Sequence, residues 1–146
     1  MKLWAVLMLL AGGLFAGGAA SFSWARVPIW RTMPLPAFTD DFAATIRWAD
    51  KVQPALLVVA IASAVAYAVT ADGSASNLGW VGAAGFAVTL VASVAVLVPL
   101  QRRIIHARPG DPTSVEEMRS RWFSGHIGRS VVSTAAFTAV ALAAVS

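Results

Sequence analysis

The chain has no cysteine. Disulfides, thiolate catalysis and cysteine-based metal sites are therefore excluded. Charge is scarce as well. Only 12% of the 146 residues are Asp, Glu, Lys or Arg, where a soluble domain carries about 25%. With 58% hydrophobic residues and a mean hydropathy of +0.73, that deficit is too deep for a water-soluble core. The chain reads as an integral membrane protein. Histidine occurs twice, at His106 and His126, in no His-x-x-His or His-Glu pairing, so no metal site is expected. A single-histidine haem ligand stays open but has no positive support. No Gly-rich phosphate loop and no Ser-His-Asp pattern occurs. The net charge of +4 does not point to nucleic acid, because the basic residues flank apolar runs, the pattern of membrane topology.

Four apolar runs are present, at about residues 3–25, 54–70, 78–100 and 123–145. The expected fold is a single all-α domain, a bundle of four transmembrane helices. The first run begins like a secretory leader, with Lys2 and a small-residue stretch at 16–21. It continues through Phe22 to Ala25, which gives it spanning length and favours a retained helix. Its Gly13-xxx-Gly17 and Gly17-xxx-Ser21 spacings suit close helix packing. Ala60, Ala64 and Ala68, every fourth residue of the second run, suit the same.

Between the first two runs, Pro28, Pro34 and Pro36 predict a loop or re-entrant turn. Thr39-Asp40-Asp41 is a good helix start, a hydroxyl cap followed by acids at the positive end of the dipole. From Asp40 to Gln53 the chain is amphipathic. Phe42, Ile46, Ala49 and Val52 share a face, as in an interfacial helix ahead of the second span. Pro54 marks the junction, as a first-turn proline or a kink. Ala71 to Asn77 reads as a polar turn. After the third run, Pro109-Gly110-Asp111-Pro112 breaks the chain. Ser114-xx-Glu117 is a capping box that starts a helix running into the fourth span.

Four spans put both termini on one side. Arg26, Arg31, Arg47, Lys51, Arg102, Arg103, Arg108, Arg119 and Arg121 then gather on the other side, against Lys2 alone. The positive-inside rule places the two long basic loops in the cytoplasm and both termini outside, in a plasma or inner membrane. The tryptophans fit an aromatic belt, with Trp4 and Trp80 at the outer boundary and Trp24, Trp30, Trp48 and Trp122 at the inner one.

The stretch Arg121 to Arg129 carries the most chemistry. Trp122, His126 and Arg129 are spaced i, i+4, i+7 and share one helix face. An imidazole and a guanidinium do not belong in hydrocarbon, so this face should meet protein or water. Arg26, Asp50 and Gln101 end or open neighbouring spans at similar depth, with Asp50 the expected partner of Arg129. Ser93 and Thr89 add a weak polar stripe on the third span, where back-bonding to their own helix is the commoner use. An uncharged His126 beside a fixed cation suits removal of a proton from an acidic carbon or phenol, with Arg129 holding the resulting anion. A hydrogen-bonded histidine that only packs helices is the alternative.

The layout resembles a small four-helix membrane family that includes the anthrone oxygenases of aromatic polyketide pathways. The resemblance rests on Gly13-Leu-Phe-Ala-Gly17 with Phe22 and Pro28, on Pro54, on Val98-Pro99-Leu100, and above all on Trp122-xxx-His126-xx-Arg129. The family commonly has Asn where this chain has Ser93 and Gln101, and often near Asp50. The resemblance implies oxidation of a phenolic, anthrone-like carbon by O₂ without metal or flavin. His126 would be the base and Arg129 the anion holder. Trp122 would stack on the substrate, with Asp50, Arg26, Gln101 and Ser93 as polar contacts. The expected partners are the lipid bilayer and an apolar aromatic small molecule, with self-association a further option. A non-catalytic subunit that packs against a partner membrane protein is the other reading.

Overall fold

The structure is a computed structural model that describes residues 2–107 and 112–146. The expected break at Pro109-Gly110-Asp111, and Arg108, lie outside the described residues. Four helices are long and apolar enough to cross a membrane: α1 (Lys2–Thr32), α2 (Leu35–Thr70), α3 (Gly73–Ile105) and α4 (Pro112–Val145). Each packs on the next and α4 returns to α1, giving an up-down-up-down ring. Among the described residues there is no strand. The fold is the expected all-α membrane bundle.

The helices are longer than the apolar runs, and proline chemistry explains why. The loop expected over residues 27–39 shrinks to Met33 and Pro34. Pro28 lies within α1, directly after a π-helical turn at Phe22–Arg26. The wider turn makes room for a ring that would otherwise clash with the carbonyl four residues back. Pro36 sits in the first turn of α2, where a missing amide costs nothing. Thr39 is therefore no cap, and its hydroxyl donates to the Pro36 carbonyl at 2.8 Å. The amphipathic segment 40–53 is helical as expected, but it runs without a break into the second span, with Pro54 inside α2. Its face divides: Phe42 and Ile46 are buried in the bundle, while Val52 is exposed.

α3 repeats the device of α1. A π-turn at Ser93–Leu97 precedes Val98-Pro99, as the turn at Phe22–Arg26 precedes Val27-Pro28. The expected polar turn at 71–77 is only Ala71-Asp72. Gly73 reverses the chain at φ +57°, a backbone value that favours glycine. α4 begins by Pro112, so Ser114 lies within its first turn. From there α4 runs unbroken through Trp122, as expected.

Two apolar cores stack along the bundle. One gathers Met8, Phe15, Ala60, Ala64, Phe86 and Val140. The other, at the end of the α1–α2 link, gathers Trp30, Phe38, Phe42, Ile104, Trp122 and Phe123. The second core changes the reading of the tryptophans. Trp24 and Trp48 are 74% and 69% exposed, as a belt requires, whereas Trp30 and Trp122 are 0% and 1% exposed. They are core residues, because each indole N–H finds an internal acceptor. Trp30 Nε1 donates to Asp41 Oδ2 at 2.6 Å, and Trp122 Nε1 to Gln101 Oε1 at 3.4 Å. Arg119 closes this end. Its Nη1 donates to the Trp30 and Met33 carbonyls at 3.0 and 2.9 Å, satisfying the C-terminus of α1 with a cation.

Candidate functional site

Between the two cores lies one polar layer, and α4 supplies its centre. His126 is 1% exposed and stacks on Trp122, with ring centroids 4.8 Å apart and planes 12° apart. Both ring nitrogens are engaged. Nε2 lies 3.1 Å from the Ala19 carbonyl, and Nδ1 lies 3.2 Å from Arg129 Nη2. A carbonyl only accepts and a guanidinium only donates. The network thus assigns the tautomer with the proton on Nε2 and the lone pair on Nδ1.

The same three residues stand on one face, as their spacing predicts, and Arg129 reaches three helices. Its Nη2 donates to Gln53 Oε1 of α2 at 3.2 Å and its Nη1 to Ser93 Oγ of α3 at 3.4 Å. Its guanidinium carbon lies 5.7 Å from the Phe15 ring of α1. Nε is buried and has no partner among the described residues. Asp50 makes no direct ion pair with Arg129; the two opposite charges line the same small cavity and act on each other through space. Asp50 accepts from Gln101 Nε2 at 3.3 Å instead, and Gln53, one turn further along α2, takes the place expected of it. The hydrogen-bond partners of Arg129 are thus all uncharged, and the Asp50 carboxylate balances this inward-facing cation only from a distance.

The π-turns position two of these contacts. Ala19 lies just ahead of the π-turn of α1, and its carbonyl accepts from His126 and lies 2.9 Å from Ser130 Oγ. Ser130 Oγ is also 2.8 Å from Ser23 Oγ. In α3 the π-turn begins at Ser93, whose hydroxyl back-bonds to the Thr89 carbonyl at 2.7 Å while accepting from Arg129. Back-bonding was the expected use of Ser93; its contact with Arg129 comes in addition. Arg26 does not reach this layer. It pairs with Asp41 at 3.3 Å and donates to Thr45 at 3.2 Å, at the part-exposed edge of the neighbouring aromatic core.

Space is distributed unevenly around Arg129. A cavity of about 10 Å³, lined by Asp50, Gln53, Gln101, Trp122, His126 and Arg129 among others, is the scale of one water. On the other side, an apolar groove of about 240 Å³ opens between α3 and α4, lined by Thr89, Leu97, Gly125, Gly128 and Arg129 among others. Arg129 lines both. A larger groove of about 550 Å³ between α1 and α4 has the Ser23 and Ser130 hydroxyls in its wall. Among the described residues, no group of three His, Asp or Glu side chains could hold a metal ion.

Gln53, Ser130 and the Ala19 carbonyl were not anticipated. Gln53 had a signal, as a polar residue next to Pro54 at the head of an apolar run. Ser130 had one too, four residues after His126 on the same face. The carbonyl had none, because a π-turn is not readable from residue types.

A four-helix membrane bundle, with one polar layer into which a single helix turns an imidazole and a guanidinium, is the class that fold and site define together. Within that class, residues 42–139 match the anthrone oxygenase family, and the chain belongs to it. The match covers two thirds of the chain and holds every side chain of the polar layer named above except Ser23 and Phe15 of α1. No curated protein and no solved structure matches the chain.

Proposed function

We propose that the protein is a membrane-embedded oxygenase that converts an acidic methylene of a flat phenolic substrate to a carbonyl, using O₂ and no resident cofactor. The observation that carries this reading is Arg129: a cation with only neutral hydrogen-bond partners and a spare Nε–H, standing between an apolar groove and the lone pair of His126. The substrate enters from the bilayer through the α3–α4 groove. Its oxygen draws the guanidinium away from His126 Nδ1, and the bared Nδ1 takes a proton from the activated carbon. Arg129 holds the resulting enolate. One electron passes from the enolate to O₂, and the radical pair joins as a C–O bond. The peroxide recovers a proton from His126 and expels water to leave the carbonyl. The balance is R₂CH₂ + O₂ → R₂C=O + H₂O, with four electrons leaving carbon and four reducing O₂. Trp122 acts behind His126 rather than on the substrate, since its ring is covered by the aromatic core.

The test is turnover of a hydroxylated anthrone in liposomes under ¹⁸O₂. One labelled oxygen in the product carbonyl is expected, with turnover about a hundredfold lower in His126→Ala and Arg129→Ala. Wild-type turnover in both variants would overturn the assignment. A Soret or flavin band in the purified protein would overturn its cofactor-free part.

A second reading has its own support in the engagement of both His126 nitrogens and the closeness of the packing around them. There the layer fixes four helix ends, and the chain is a non-catalytic subunit that binds another membrane protein or itself. A stoichiometric protein partner retained in mild detergent, with no turnover, favours this reading. Under either, the basic links are proposed to lie in the cytoplasm of a plasma or inner membrane, supported by the charge bias.

A further inference from the structure

His126 has one lone pair, and what covers it decides whether the imidazole can take a proton. Nδ1 faces Arg129 Nη2 at 3.2 Å, and that same nitrogen lies 3.2 Å from Gln53 Oε1. A terminal guanidinium nitrogen carries two N–H groups, one for each acceptor. Gln53 thus holds the nitrogen that caps the base. The second anchor of the guanidinium, Ser93 Oγ, is on the other terminal nitrogen and is longer at 3.4 Å. Gln53 directly precedes the proline inside α2. Pro54 has no amide to donate, so the Asp50 carbonyl, one turn back, loses its helical partner. One helix bond is thus already missing beside the residue that holds Arg129.

We propose that Gln53 is a positioning residue that sets Arg129 across His126 Nδ1 and releases it when a ligand oxygen engages the unpartnered Nε–H. The capped arrangement keeps the base covered until an acceptor enters the groove. The uncapped one presents a bare lone pair beside a guanidinium already turned to the ligand. The idea rests on the oxygenase reading for its purpose, but not for its geometry. Nothing is asked of Gln53 beyond its carbonyl oxygen, so an acceptor of the same reach should substitute and an apolar side chain of the same length should not.

The test is ¹⁵N-histidine NMR of the full chain in lipid bilayers, with His106→Gln leaving His126 as the one labelled residue. The parent should show a protonated Nε2 and an unprotonated, hydrogen-bonded Nδ1. Gln53→Met preserves length and flexibility but offers no oxygen. It should move the Nδ1 signal downfield towards that of Arg129→Gln, where the cap is gone. Gln53→Glu should hold the signal near the parent position. An Nδ1 signal in Gln53→Met identical to the parent, or a protonated Nδ1 in the parent, overturns the inference whatever the rates. A signal that moves as expected, with wild-type turnover in His126→Ala, leaves the positioning role standing and removes the oxygenase reading instead.

Discussion

Arg119 and Trp122 show how much single side chains carry in a bundle this small. Arg119 is buried, and its guanidinium satisfies two carbonyls at the end of α1 while pairing with Glu116. Replacing it with Met should cost about 2–3 kcal/mol, because hydrogen bonds to a charged group are lost and two carbonyls are orphaned. Glu116→Ala, which removes only the exposed half of that ion pair, should cost under about 1 kcal/mol. Thermal unfolding of both variants in one detergent separates the two roles. Trp122→Phe keeps an aromatic ring beside His126 but loses the bond to Gln101 and part of the indole's bulk, for about 1–3 kcal/mol. Trp122→Ala empties the centre of the aromatic core and should cost about 3–5 kcal/mol. Equal losses in the two Trp122 variants would mean that the indole N–H, not its bulk, holds this core. At this scale the sequence was legible where spacing decides. Trp122, His126 and Arg129 follow from one helix period. It was silent where depth decides. Asp50 and Gln53 lie three residues apart on one face, and which of them meets Arg129 depends on how far α2 is inserted. Trp30 and Trp122 suited an interfacial belt equally well until their N–H partners were known.

Elements were legible in number but not in extent. Apolar runs fix four spans, because a run of about 20 residues has no other use in a chain this poor in charge. They do not show where a helix continues past its apolar part, and here prolines mislead. Pro28 and Pro99 each follow a π-turn that absorbs the ring, so neither ends its helix. Close approach was also misplaced. Gly17, expected to pack, has open space where a Cβ would be, whereas Gly13 lies against Phe137. The tightest seam runs between α3 and α4. A Cβ on Gly82 would run into the Val140 side chain, and it would meet the Ala136 carbonyl oxygen at 3.1 Å. Gly82→Ala should therefore destabilise by about 1–3 kcal/mol, the usual cost of overpacking. Gly17→Ala should be neutral or stabilising by up to about 1 kcal/mol, since only helix propensity changes. A Gly82→Ala variant as stable as the parent would show that α3 and α4 can separate without loss. Pro54 belongs to the same argument. Pro54→Ala restores an amide for the Asp50 carbonyl and should raise thermal stability, on the order of 1 kcal/mol. It should also lower turnover if movement of the Gln53 segment is needed.

For the whole molecule, the arrangement of charge makes the sharpest prediction. Helices of 31 to 36 residues rise about 46–54 Å at 1.5 Å per residue, well beyond a hydrocarbon core of about 30 Å. The surplus gathers at one end, where the aromatic core, the α1–α2 link and the arginines lie. The opposite end holds the short α2–α3 turn and Lys2. The end rich in Arg should be retained in the cytoplasm, leaving the polar layer nearer that surface and the α2–α3 turn outside. Because the chain has no cysteine, single cysteines report its orientation without background. Asp72→Cys and Ser146→Cys should react with a membrane-impermeant maleimide on intact cells. Arg103→Cys should react only after permeabilisation. The reverse pattern would turn the bundle over and place His126 nearer the outer surface. The α3–α4 groove would still open to the bilayer, but any proton released from the polar layer would leave on the other side.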